Sequence, residues 1–345
     1  MNRFVWDALR RRGSHYAATL PYNLNWMALG ALARILADGR VGPVTVVDVG
    51  ARGGLAPELH GIRQLVHLIG FDADEAECRR LNAEPHDLHR REFHPVFVAA
   101  ANGSANFHLY ANAAESSSLL PDARFARLIG GPDFAVARSL NVSTTTLDAF
   151  YESHASLPRP DFLKVDTQGT ELSVLRGAVS CLRTASLVEV EVEFQPHYAE
   201  QPLFGDVAAF MREQGFELFY LNRVFRQHRG FRGFARGQLT FGDARFARRE
   251  DHLAGLSDAA IERFLLLLVV FGHLDAAMTV LEARALPEAA AARSREYLRW
   301  REGNGKVNRL RRLVTPFIDK VILWLLHARG HNALTMDSDR SWPVR

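Results

Sequence analysis

The segment Asp161-Phe162-Leu163-Lys164-Val165-Asp166-Thr167-Gln168-Gly169-Thr170-Glu171 holds more polar groups than a buried strand should. Phe162, Leu163 and Val165 supply apolar contacts, Lys164 falls on the strand and Asp166 at its C-terminal end. A buried lysine is costly unless a carboxylate pairs with it. Lysine occurs only at positions 164, 306 and 320, so its use here points to a specific partner. The run 186–194, SLVEVEVEF, offers partners: alternation puts Val188, Val190, Val192 and Phe194 on one face and Glu189, Glu191 and Glu193 on the other. The expected partner of Lys164 is Glu191 or Glu193. His197 follows in the loop after that strand. Carboxylates or an imidazole placed there could take a proton from a hydroxyl. The catalytic candidates are therefore Lys164, Asp166, Glu171, Glu191, Glu193 and His197. The plainer readings are a structural Lys–Glu pair and an exposed loop histidine. Converging carboxylates could also hold a hard divalent cation such as magnesium. The chain has no metal-ligand spacing motif, and a mechanism without metal is expected.

A second chemical signal is VVDVGARGG at 46–54, a β-branched run that breaks into a glycine turn. Glycine lets backbone approach a ligand closely, and a helix N-terminus beyond it offers free N–H groups. The spacing is not GxGxxG, because Arg52 separates Gly50 from Gly53 and Gly54. Asp72 ends the next apolar run, 22 residues after Gly50, where a carboxylate can accept from both hydroxyls of a ribose. Asp48, ahead of the turn, suits an ammonium-bearing ligand better than a pyrophosphate. These features fit S-adenosylmethionine better than NAD, although glycines mark any tight strand–helix turn.

These residues need a scaffold that gathers them at one edge. Short runs at 44–50, 66–72, 94–100, 161–166 and 186–194 read as strands. Helix-like stretches at 74–82 (with Asp74 as N-cap), 171–182 and 206–214 lie between and after them. Strands alternating with helices predict βαβ units and a mainly parallel sheet, whose ligands bind beyond the carboxyl ends of the strands. The runs 216–222 and 238–248 predict an antiparallel edge hairpin. The loop between them carries Arg223, Arg226, Arg229, Arg232 and Arg236 with Phe225, Phe231 and Phe234 interleaved. Such a loop is either solvated or a binding surface for an anionic or sugar-like acceptor.

The 345 residues, 48% hydrophobic and 23% charged, exclude a disordered or collagen-like chain. A net charge of +3 is weak support for nucleic-acid binding. Cys78 and Cys181 form no CxxC pair, so a reducing compartment is expected. The N-terminus lacks the apolar core of a signal peptide, and the longest apolar run, 264–271, is too short to span a membrane. A cytoplasmic location is expected. Helical spacing marks a preface at 24–39, and residues from about 257 on read as helices at 257–272, 274–285, 288–301 and 307–328. The expected organisation is an N-terminal helical segment 1–41, a catalytic domain 42–252 and a C-terminal helical region 253–345, through which oligomers could form.

The run DFLKVDTQGTELSVLRGA (161–178) resembles the FkbM family of methyltransferases, whose pattern reads roughly D-[FL]-[IL]-K-[IV]-D-[VT]-Q-G-x-E-x-x-V-L-x-G-A. The resemblance continues through VEVEFQPHYAEQPLF (190–204), VVDVGARGG, GFDAD (70–74), TTLDAF (145–150) and GDARFAR (242–248), covering about residues 42–250. It implies a Rossmann-like, seven-stranded methyltransferase fold using S-adenosylmethionine. The implied function is O-methylation of a sugar, glycan or secondary-metabolite hydroxyl. It further implies that Asp48, Gly50 and Gly54 line the amino-acid end of the cofactor and Asp72 its ribose; Ala51, Arg52 and Asp166 join them as cofactor-binding candidates. Two residues depart from the family: Arg52 replaces an asparagine, and Asp72 stands where glutamate is commoner. The alternatives are an RNA methyltransferase, a non-catalytic S-adenosylmethionine-binding partner protein, and an NAD enzyme, which the missing GxGxxG disfavours. A small-molecule or glycan acceptor is expected, not nucleic acid.

Overall fold

In a computed structural model, the structure describes residues 41–52, 54–232 and 237–283. The expected helix at 24–39, the helices beyond 283 and Gly53 lie outside the described residues. A seven-stranded sheet carries the site, built from β1 (Val44–Val49), β2 (Val66–Asp72), β3 (Arg90–Pro95), β7 (Phe162–Val165), β8 (Leu187–Glu193), β9 (Phe216–Arg226) and β10 (Gln238–Arg248). Its order is β3-β2-β1-β7-β8-β10-β9. The pairs β3–β2, β2–β1, β1–β7 and β7–β8 are parallel, and β10 runs antiparallel to both β8 and β9. The chain leaves β1 toward β2 on one side and β7 joins on the other. The strand order therefore reverses between β1 and β7, which is where open α/β sheets bind ligands.

The expected alternation of strands and helices holds, with local differences. The third parallel strand is Arg90–Pro95, not 94–100. Residues 97–98 form β4 (Phe97–Val98), which joins β5 (Gly103–Tyr110) and β6 (Val136–Thr145) in a separate three-stranded sheet ordered β4-β6-β5. The helix expected over 171–182 is two: α3 (Glu171–Arg176) and α4 (Val179–Thr184). The break is at Gly177, where a Cβ would overlap the Ala99 carbonyl, so the backbones meet there. The cap expected at Asp74 is present: its Oδ1 accepts from Ala76 N–H (2.9 Å) at the start of α1 (Glu75–Ala83). Thr146 caps α2 (Leu147–Ser153) in the same way.

The sheet is covered on both faces. On one, Val47, Val49, Leu163, Val165, Val188 and Val190 pack with α2, α3, α4 and α5 (Phe204–Glu213). On the other, Val44, Val46, Phe162 and Leu187 pack with the 3-10 helix Pro57–Leu65, α1 and α6 (Asp258–Val270), which α7 (Leu274–Ala283) follows. Leu265 to Val270 are all buried, so α6 is hydrophobic all round because it lies between the sheet and α7. The core thus runs through the boundary expected at 252/253. Among the described residues no helix is long and apolar enough to cross a membrane.

Candidate functional site at the carboxyl edge of the sheet

On the α6 face, adjacent strands align Val46, Phe162, Leu187 and Ala247 in one apolar cross-strand row. Two residues toward the carboxyl edge the next row is Asp48, Lys164, Glu189 and Arg245. Beyond it Glu191 and Asp243 pair, next to Asp166 just past the end of β7. The parallel strands thus deliver the charged residues to one edge because each strand keeps the same period of two.

Lys164 ion-pairs with Asp166 Oδ2 (3.1 Å) and Asp48 Oδ1 (3.7 Å). This corrects the expected pairing with Glu191 or Glu193. The register places Lys164 level with Glu189, and the other two glutamates lie further along β8. Burial alone would lower the lysine, but the charges of Asp166 and Asp48 hold it well above its ordinary value. Burial would likewise raise Asp166, yet Lys164 and hydrogen bonds from Gln168 and Glu191 hold it low. Asp48 goes the other way: burial pushes it up to about 6 despite Lys164. Its Oδ1 is buried and has no hydrogen-bond partner among the described residues.

The glycine turn follows Asp48. Gly50 takes φ +87°, and a Cβ there would overlap the Asp166 carbonyl oxygen, so only glycine fits where β1 and β7 meet. Gly50 and Ala51 N–H groups both donate to the Phe71 carbonyl (2.8 and 3.0 Å), which ties the turn to β2. Gly54, at φ +84°, has open space where a side chain would stand. Asp72, half-buried at the end of β2, accepts the Asp74 N–H on Oδ1 (2.7 Å), and burial raises it. Arg52 does not turn toward Asp48: its guanidinium donates to the Ala113 carbonyl (2.9 Å) and Asp74 (3.4 Å).

Past β7 the backbone is held by the side chains of Gln168, Ser117 and Glu171, of which only Glu171 is among the catalytic candidates. Gln168 sits at φ +56°, unusual for a residue other than glycine. Its amide donates to Asp166 Oδ1 (3.1 Å) and Glu191 Oε2 (2.7 Å), and its Oε1 accepts from Tyr198 (3.1 Å). The Ser117 hydroxyl donates to its carbonyl (2.6 Å). The Q-G in the quoted pattern was the available signal. Glu171 Oε1 accepts from Thr167 N–H (2.8 Å) and Gly169 N–H (3.0 Å). Burial pushes Glu171 up to about 7 against those bonds, so it is engaged in holding the loop. Burial, with the neighbouring carboxylates, raises Glu191 and Glu193 well above the usual range.

His197 is not an exposed loop histidine. It stacks on Phe125 with ring centroids 3.9 Å apart, and burial together with Arg226 pushes it down to about 3. Around it Phe125, Phe134, Tyr110 and Tyr198 form a small aromatic core roofing the loop. The structure thus gathers Asp48, Lys164, Asp166, Glu191 and the glycine turn, with Asp72 at the neighbouring strand end. Glu171 and His197 lie beneath and beside them as framework. Among the described residues no group of three or more His, Cys, Asp or Glu side chains could hold a metal ion.

The family described as "Methyltransferase FkbM domain" matches residues 48–218. A comparison with curated proteins finds no match. Among solved structures, the chain is similar to methyltransferase FkbM from Methylobacillus flagellatus KT at 13% identity and a TM-score of 0.32, covering 59% of this chain and 43% of that one. It therefore spans less than half the length of that protein. It is also similar to magnesium protoporphyrin IX methyltransferase from Synechocystis PCC 6803, at 11% identity and a TM-score of 0.28, covering 72% of this chain and 93% of that one. The 1,6-didemethyltoxoflavin-N1-methyltransferase of Burkholderia thailandensis is 14% identical, with a TM-score of 0.31 and coverage of 64% and 78%.

Proposed function

We propose that the chain, which carries a methyltransferase FkbM domain over residues 48–218, uses S-adenosylmethionine to methylate a hydroxyl group of a sugar, glycan or secondary metabolite. The observation that carries this reading is the pairing of a buried Asp48 oxygen, which has no hydrogen bond and only the 3.7 Å ion pair to Lys164, with a glycine turn that admits no side chain at Gly50, at the reversal point of the sheet. A nucleoside with a cationic amino-acid end fits such a cradle. Asp48 would face the ammonium, Gly50, Ala51 and Gly54 would let the amino-acid end approach the backbone, and Asp72 would accept from the ribose hydroxyls. When bound, the cofactor supplies an electrophilic methyl group on a sulfonium. Arg52 is engaged with Ala113 and Asp74, and would order the turn instead of binding a carboxylate.

The chain's own residues must then orient the acceptor and take its proton. His197, held near 3, is too weak a base. Asp166 and Glu191 are the better pair. The Gln168 amide bridges them, Lys164 keeps Asp166 ionised, and burial with the Asp166 charge raises Glu191 well above the usual carboxylate range. Of the two, Glu191 has the higher proton affinity, so its carboxylate is the group proposed to receive the acceptor's proton. The hairpin tip, where Arg226, His228 and Phe231 line a cavity of about 560 Å³, is the proposed acceptor side.

Labelled S-adenosylmethionine incubated with the protein and panels of glycans, small hydroxyl compounds and RNA tests the reading. Label on a hydroxyl is expected, lost about 10²–10⁴-fold in Glu191→Gln with S-adenosylhomocysteine binding kept. Label on RNA, or cofactor binding with no transfer to any class, would replace the reading.

A further inference from the structure

The cofactor reading accounts for Asp48 and Lys164 but leaves two buried charges on the same row unused. Glu189 and Arg245 continue the line Asp48–Lys164–Glu189–Arg245 across β1, β7, β8 and β10, and the register then meets Tyr220 on β9. Arg245 donates through Nε (3.0 Å) and Nη2 to Glu189 Oε2. Its guanidinium lies 3.9 Å from the ring centroid of Phe271, at the end of α6, and 5.7 Å from that of Tyr220. The pair is nearly closed to solvent, at 9% and 12% exposure.

The arrangement matters because Lys164 has carboxylates on both sides. Asp48 is its neighbour on β1 and Glu189 its neighbour on β8, yet its ion pairs go to Asp48 and Asp166. We propose that Glu189 and Arg245 are positioning residues: Arg245 satisfies Glu189, so that Lys164 stays on Asp48 and Asp166 and Asp48 is kept ready for the cationic end of the ligand. This rests on the cofactor reading above. The groups facing the row also include Asp243 on β10, Glu58 on the 3-10 helix at 57–65 and His273 after α6. Burial pushes Glu58 up to about 7, and burial with Arg245 pushes His273 down to about 4. Neither therefore replaces Arg245 as a cation or adds a full negative charge at neutral pH. If Arg245 loses its charge, Glu189 becomes an unpaired buried carboxylate and draws Lys164 from Asp48. With less of that cation beside it, Asp48 protonates at higher pH, and an ammonium finds a neutral acid.

Calorimetry with two probes separates this from a general loss of structure. S-adenosylhomocysteine carries the amino-acid end; 5′-methylthioadenosine carries the same nucleoside and a thioether without it. Arg245→Met is expected to weaken S-adenosylhomocysteine about tenfold at pH 7, to leave 5′-methylthioadenosine within about twofold, and to move the acid-side loss of affinity to higher pH. Arg245→Lys should recover most of the loss. Arg245→Met strands Glu189 and costs stability; the Glu189→Gln/Arg245→Met double variant removes both charges, so it serves where the single variant does not fold, and should bind S-adenosylhomocysteine within about twofold of the wild type. Equal weakening of both probes in Arg245→Met, or a double variant about tenfold weaker for S-adenosylhomocysteine alone, overturns the inference and leaves the cofactor reading standing. Wild-type protein that binds neither probe overturns the cofactor reading itself, and the inference with it.

Discussion

At the scale of single residues, two acids at the carboxyl edge carry separable consequences. Asp72 ends β2 with one oxygen fixed by the Asp74 N–H. Asp72→Ala is expected to weaken S-adenosylhomocysteine by about 1–3 kcal/mol, the loss of charged hydrogen bonds to two hydroxyls; unchanged affinity by calorimetry would remove the ribose assignment. Asp48 makes its mark on stability. Burial holds it at about 6, against its ordinary 3.8. Between those values the folded state binds more protons than the unfolded one, so stability falls as pH rises and the full cost stands above pH 6. Asp48→Asn escapes that cost. Its stability relative to the wild type should therefore rise by on the order of 1–3 kcal/mol between pH 4 and pH 7.5 in urea titrations; a pH-independent difference would show that the charge is not confined as described. Asp48, Asp166 and Lys164 were legible in the sequence because charge on a short apolar strand is out of place. The partner of Lys164 was not, since strand register decides it and periodicity leaves register open. The condition of His197 was equally hidden: its neighbours Phe125 and Phe134 lie more than sixty residues away in the chain.

Between residues and the whole molecule stand the elements, and here the sequence spoke unevenly. β1, β2, β7, β8 and the edge hairpin were readable because each is a β-branched or alternating run bounded by turns. β3 was misplaced because RREFHP is polar and exposed on an edge, while HPVFVAA looks more like a strand. In the small sheet, β5 and β6 went unread because they are polar and largely exposed, while β4 falls within the apolar run 94–100. Another unread link is the clasp at the start of β7. Buried Asp161 accepts from Thr45 N–H on β1 (2.9 Å) and from Arg263 Nε on α6 (2.8 Å), joining two strands and a helix distant in sequence. Arg263→Ala leaves that carboxylate without its cation, and a stability loss of about 2–4 kcal/mol is expected in chemical denaturation. Arg263→Lys should lose less, because it keeps the charge while giving up the fixed guanidinium geometry. A neutral Arg263→Ala would mean that the Thr45 bond alone satisfies Asp161.

For the molecule as a whole, the question is whether the α6–α7 end belongs to the catalytic core or stands apart from it. The structure gives α6 a place in the sheet's second layer. Ile261, Phe264 and Leu265 to Val270 are buried in one cluster with Val44, Val46, Phe162 and Leu187, the residues that lie directly beneath the charged row. Phe271, at its end, covers Arg245. Removing residues 256–345 would therefore strip one face of the central strands of their cover, remove the cation from Asp161 and uncover the Arg245–Glu189 pair. Each fully buried leucine or phenylalanine contributes roughly 1.5–3 kcal/mol, and α6 supplies several. Typical domains have only about 5–15 kcal/mol of net stability to lose. The truncated chain is expected to aggregate, because the strands it exposes form a contiguous apolar patch. Size-exclusion chromatography with light scattering, followed by calorimetry with S-adenosylhomocysteine, measures both consequences. A truncated protein that stays monomeric and binds with wild-type affinity would show that the seven strands and the helices before residue 256 close their own core, and that α6 is an appended module.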